Sequence, residues 1–323
     1  MKSRLILTLA VLSLCASAQP AAAQNFPSKS IRFIVTFPPG GPADLLARSV
    51  APVMGSRLGQ PVVVENRAGA GGVLGVNAIA KSAPDGYTIG ISGPGALVAA
   101  PFMMKDFPYD VMRELQPITL IARIAGIVVT NPGSGFKTVK ELIARAKSNP
   151  GKISYASAGA GTLTHLAGEL LKIEAGIDML HVPYKGGGPA AADLVAGRVQ
   201  LFFPDLPAVL QFIRSGKLIA IAVTTQERAA DLPDAPTMAE SGVPAMTSES
   251  LYGMLASAGL PGAVLARLND SAVAALKEPA VVAQIRKLGA TPSPTTPDEY
   301  RNLIQSERTT WERVIKVTGT TMQ

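Results

Sequence analysis

The chain has 323 residues, 47% of them hydrophobic and 16% charged, with a formal net charge of +7. That length holds two cores, and the scattered cations, beside one Trp and six Tyr, exclude a nucleic-acid groove. A single cysteine, Cys15, excludes a disulfide framework.

The first element in chain order is an export signal. Lys2 and Arg4 precede an apolar run from Leu5 to Ala18, and Ala21 and Ala23 put small residues at −3 and −1 of a cut before Gln24. The run is too short to span a membrane, and Leu14 before Cys15 does not suit a lipid anchor. Cleavage takes two cations from +7, leaving +5, and removes the only thiol. No thiolate metal site is then possible, and a mild positive field suits small anions. The expected compartment is the periplasm, with 1–23 as a removed leader.

Strands and helices then alternate. Ile31 to Val35 reads as a strand, Ala43 to Leu58 as a helix, Val62 to Val64 as a strand, Val73 to Ala83 as a helix and Tyr87 to Ile91 as a strand. A second unit begins near Ile124, with strands at Ile127–Val129, Ile153–Ala156, Met179–Val182, Val199–Phe203 and Leu218–Ala222. Helices at Thr138–Lys147, Thr162–Glu174, Gly188–Ala196 and Leu206–Ser215 separate them. Helices at Gly262–Lys277, Pro279–Leu288 and Pro297–Val317 follow. Three consecutive helices cannot make a third α/β unit, so they return to the first. The expected fold is α/β with two lobes, each a mostly parallel sheet flanked by helices. Residues 24–124 and 250–323 form one lobe, residues 125–249 form the other, and two crossovers join them. The cleft between two such sheets is the expected ligand site.

Two loops carry the chemistry. Phe37-Pro38-Pro39-Gly40-Gly41 lies between the first strand and the first helix. Prolines stiffen it, glycines free backbone amides, and the helix N-terminus adds partial positive charge. A plain tight turn explains the same residues equally well. Asp44, in the first helical turn, reads as structural. Ser157-Ala158-Gly159-Ala160-Gly161-Thr162 repeats the design in the second unit, with Thr162 as a candidate cap and His165 just beyond. Two such loops suit one carboxylate, or the two carboxylates of a diacid.

Other segments read as structural. Gly69 opens a G-x-G frame in which Leu74 stands where a dinucleotide motif needs Gly or Ala. Lys185 reaches the cleft rim only as a minor alternative to a turn residue. Asp205 caps the next helix or faces a ligand ammonium group, capping being favoured. Two histidines, His165 and His181, and no G-x-S-x-G elbow give no catalytic or metal-binding anchor.

Ile31-Arg32-Phe33-Ile34-Val35 with Phe37-Pro38-Pro39-Gly40-Gly41, Leu58 to Arg67, Pro84-Asp85-Gly86-Tyr87-Thr88 and Lys137-Thr138-Val139-Lys140-Glu141-Leu142 form an ordered series. It continues through Gly159-Ala160-Gly161-Thr162 with His165, His181 to Gly186, and Leu232 to Thr237. The series resembles the Bug family, the periplasmic receptors of tripartite tricarboxylate transporters. The resemblance implies a type II periplasmic-binding-protein fold with no catalytic residues, metal or cofactor. It implies a small carboxylate held by Pro38 to Gly41 and Ser157 to Thr162, partly through water. Transporter membrane components are the implied partners, and a monomer with no nucleic-acid partner is expected. Ala68 stands where the family usually has proline, and the segments Phe107–Val111 and Ser92-Gly93-Pro94-Gly95 are atypical. Ser92 and Gly93 end the third strand and are expected to face the ligand, so its identity stays open. Two other classes compete with the receptor. An exported enzyme on a small organic acid needs a base and a nucleophile in the cleft. A cytoplasmic regulator needs a helix-turn-helix where this chain has a leader.

Overall fold

A computed structural model describes residues 26–321. The expected leader, its cleavage point before Gln24 and Cys15 lie outside the described residues. The first half opens with β1 (Ile31–Val35), α1 (Pro42–Leu58), β2 (Val62–Asn66), α2 (Val73–Ala80) and β3 (Thr88–Ser92). Short helices α3 (Ala100–Met103) and α4 (Val111–Glu114) lead into a long β4 (Leu115–Ala125). After Gly126 come β5 (Ile127–Thr130), α5 (Val139–Ser148), β6 (Ser154–Ser157), α6 (Leu163–Ala175) and β7 (Leu180–Pro183). The unit closes with α7 (Gly187–Val195), β8 (Leu201–Phe202), α8 (Leu210–Arg214) and β9 (Ile219–Val223). The chain ends with β10 (Glu249–Ser257), α9 (Gly262–Lys277), α10 (Pro279–Lys287), β11 (Thr291–Pro292) and α11 (Pro297–Thr318).

These strands make two sheets, one ordered β11-β4-β10-β3-β1-β2 and the other β7-β6-β8-β5-β9. The sheets are mixed, which corrects the mostly parallel arrangement expected from the apolar runs. β1, β2 and β3 run parallel, whereas β10 is antiparallel to both β3 and β4. In the second sheet β6 is parallel to β7 and β8, whereas β5 is antiparallel to β8 and β9. The reversed strands β5 and β10 are the first after each crossing. A strand arriving from the other sheet enters at the edge where its neighbours end, so it runs against them.

That rule also locates the cleft. β4 runs with β1 and stops one residue before β5 begins. The C-terminal edge of the first sheet therefore abuts the edge of the second at which β6 and β8 end. The loops after β1 and β6 stand on these two facing edges.

Apolar strands covered on both faces hold each sheet in place, with β1 burying Ile31, Phe33, Ile34 and Val35. Helix α6 lies so close on β6 that a Cβ on Gly168 would stand 2.2 Å from the Tyr155 ring, so glycine is required there. Helix α11 starts with a reciprocal Thr296–Glu299 capping box. Burying Trp311 and Ile315, it packs on β4 and also on α6, so it touches elements of both units.

Candidate functional site

The first loop is held by charge. Asn66 donates from Nδ2 to the Phe37 carbonyl at 3.1 Å and to Asp44 Oδ1 at 2.8 Å. Arg48 Nε donates to both Asp44 oxygens at 3.0 Å, and the Gly40 amide donates to Asp44 Oδ2 at 3.0 Å. The Arg48 guanidinium beside it holds the Asp44 carboxyl down at about 2. The structural role expected of Asp44 is the one it has. One detail of the expected anion site changes. The Gly40 amide is occupied by Asp44, so the groups left for a ligand are the first-turn amides of α1. Gly41 at the N-cap has no side chain to satisfy them, and Pro42 carries no amide hydrogen. Thr36 Oγ1 donates to Ser92 Oγ at 3.2 Å, tying the ends of β1 and β3 together.

The second loop is held by neutral groups. Ala158 donates its amide to Thr164 Oγ1 at 2.8 Å, and Gly161 donates to His165 Nδ1 at 3.1 Å. Thr162 occupies the N-cap position, but its hydroxyl donates to the Gly159 carbonyl at 2.6 Å and caps nothing. Ser157 Oγ accepts from the Gly159 amide at 3.2 Å and lies 2.7 Å from His181 Nε2. The two histidines stack with ring centroids 3.8 Å apart, and Tyr155 stacks on His181 at 5.0 Å. The Tyr155 hydroxyl donates to Glu169 Oε1 at 2.6 Å, which also accepts from Lys172 at 3.1 Å. Burial pushes both imidazoles below their ordinary range, His181 to about 4 with further help from His165. Both are therefore neutral at pH 7. Because Gly161 donates to Nδ1, the neutral His165 ring carries its proton on Nε2.

The Ser157–His181 contact has the spacing of a nucleophile and its base, but its setting is different. Ser157 is fully buried, and no carboxylate bonds the other nitrogen of His181 among the described residues. The pair fastens the loop.

Asp205 sits just past β8 at the start of a short 3-10 turn, and the capping bond expected of it is absent. It instead accepts from Ser250 Oγ at 2.8 Å. Burial pushes its carboxyl up to about 6, against the pull of that hydrogen bond. Tyr252, on β10, was not anticipated from the sequence. A Cβ on Gly93 would stand 3.1 Å from the Tyr252 ring and 3.6 Å from that of Phe37, so both aromatics line this edge. Burial and the nearby Asp205 carboxylate push the Tyr252 phenol up.

Residues 46–320 match the model of the tripartite tricarboxylate transporter family receptor. The chain belongs to that family. It is 40% identical to the protein BugT of Bordetella pertussis over 303 residues, covering 94% of this chain and 93% of the relative. It is 41% identical to a solved periplasmic transporter, with a TM-score of 0.77 over 92% of this chain and all of the other. A Rhodopseudomonas palustris protein solved with adipate is 31% identical, with a TM-score of 0.77 over 92% of this chain and 99% of that one.

The receptor is thus a solute-binding protein of a periplasmic family, with a mixed α/β two-lobed fold shared with solved relatives. Among the described residues no helix is long and apolar enough to cross a membrane. Its fold gathers Phe37 to Gly41 with Ser92 and Gly93 on one edge, and Ser157 to Thr162 with His165 on the other. Lys185 stays exposed and forms no ion pair among the described residues.

Proposed function

We propose that this receptor captures a small carboxylate between its two lobes and delivers it to the membrane components of a tripartite tricarboxylate transporter. One observation carries the reading. Two Gly-rich loops, each opening a helix that lacks a side-chain cap, stand on the facing edges of separate sheets. The amides of the first turns of α1 and α6 offer an anion two sets of donors and two helix dipoles, without a basic side chain. The relative solved with adipate supports a carboxylate as the solute. On this reading residues 24–124 and 250–323 form one lobe and residues 125–249 the other. The leader is cleaved before Gln24, and the mature protein works as a periplasmic monomer without catalysis.

Titration calorimetry against a panel of organic acids, adipate included, tests this. The expected result is saturable binding with the acid recovered unchanged. The radius of gyration should fall on saturation, because a ligand bridging both loops favours the closed state. Replacing Gly161, at φ +76°, with valine should abolish binding, whereas Lys185→Ala should leave it nearly intact. Failure to bind any member of the panel would overturn the reading.

A further inference from the structure

The cavity where the chain crosses between sheets is lined by a carboxylate that no cation among the described residues meets. Its volume is about 130 Å3, and its walls include Gly126, Leu163, Thr164, Phe203, Asp205 and Ser250. Leu163 and Thr164 are the first residues of α6, so a helix N-terminus carrying partial positive charge lines the cavity. Asp205 lines the same cavity. Only its hydrogen bond from Ser250 is present, and no lysine, arginine or histidine pairs with it among the described residues. A half-buried carboxylate with a single donor keeps one oxygen free to accept from a cation. A cationic group on a ligand in this cavity would meet that free oxygen.

We propose that the solute is a short zwitterion, its carboxylate on the first turn of α6 and its cationic nitrogen on the free oxygen of Asp205. The proposal rests on the carboxylate-receptor reading above and narrows the solute class. A small cavity limits the separation of the two charged groups, which favours β- or γ-amino acids over long ones. A second ligand carboxylate here meets Asp205 with like charge.

The test compares molecules of matched length: β-alanine with succinate, and 4-aminobutyrate with glutarate. Each is titrated at pH 7.5 into the mature wild type and into Asp205→Asn, which keeps the shape and removes the charge. Wild type is expected to prefer each zwitterion to its diacid by roughly 10-fold or more, the scale of one charge-assisted hydrogen bond. Asp205→Asn should weaken the zwitterions by roughly 10- to 100-fold and strengthen the diacids. Ser250→Ala, which keeps the carboxylate, should retain the wild-type preference and serves if the first variant does not fold. Tighter binding of the diacids by wild type overturns the proposal and leaves the carboxylate receptor standing. So does an equal loss for both series in Asp205→Asn, which makes Asp205 a hinge support. If no acid of either series binds, the proposal falls together with the carboxylate reading.

Discussion

The two candidate ligand loops occupy equivalent places in their sheets and are fastened by opposite chemistry. The loop after β1 is clamped by a carboxylate that gathers a guanidinium, a side-chain amide and a backbone amide. The loop after β6 is clamped by hydroxyls and two stacked, uncharged imidazoles. The N-cap residues Gly41 and Thr162 nonetheless share nearly the same backbone angles, φ −76° and ψ 168° against φ −74° and ψ 161°. The clamps differ in what disturbs them. With Asp44 held at about 2, the first is indifferent to any pH the periplasm meets, whereas the second depends on imidazoles staying neutral.

The largest expected effect comes from removing the ionic clamp. Asp44→Ala leaves the half-buried Asn66 amide group and the Gly40 amide without their shared acceptor. Arg48 is half exposed and recovers water, so the net loss should be about 2–3 kcal/mol in urea unfolding. A loss below about 1 kcal/mol would mean the first loop does not need its clamp.

A smaller effect is expected in the neutral clamp. His165→Phe keeps a ring against His181 and removes the acceptor of the Gly161 amide, which should cost about 1–2 kcal/mol. Carboxylate affinity should fall with it. Unchanged affinity would show that the second loop keeps its shape without that bond.

The smallest effect is a pH dependence confined to the second lobe. Folded His181 lies near 4 against an ordinary 6.5, and His165 is lowered too, so folding favours the neutral rings. Their contribution is complete above pH 6.5 and drains as pH falls toward 4. Asp205 has the opposite sign. Its carboxyl is raised from 3.8 to about 6, so its contribution is complete below 3.8 and is lost as pH rises through 6. The two trends oppose each other between pH 4 and 6. In Asp205→Asn the urea midpoint should therefore fall more steeply on acidification than in wild type, by at most about 1.4 kcal/mol per pH unit. Parallel profiles would place the titrating groups elsewhere.

Most helices and the short central strands were legible because their patterns are local. β1, α1, α6 and α11 follow period or capping signals that lie within each segment. β4 and β10 were not read as strands at all. β4 contains Pro117, and β10 contains Gly253, at which a Cβ would collide with Tyr300. Both residues argue against strand locally and are tolerated because the β4–β10 ladder has register irregularities beside them. Without β10, Tyr252 had no position from which to be noticed. The glycine loops were legible as motifs, but the fate of their amides was not. Gly40 and Asp44 are four residues apart, as are Gly161 and His165, yet the bonds depend on helix starts that spacing alone does not fix. The stacked histidines and the Ser250–Asp205 bond join residues 16 and 45 positions apart, contacts that only the assembled sheets create.

The two passages between the sheets are not independent tethers. Thr224 donates its amide to the Gly126 carbonyl at 2.9 Å, and Ser248 donates to the Thr224 carbonyl at 3.1 Å. The Thr224 hydroxyl adds a bond to the Ser248 carbonyl at 2.5 Å. Segments stitched side by side resist torsion and yield mainly to flexing across their width. On the proposed closing motion, the lobes would be left one easy direction of travel, and the helix starts of α1 and α6 would approach along a single arc. A solute arriving from any side would then be met by the same jaw stroke, and the outline offered to a transporter would vary along one coordinate.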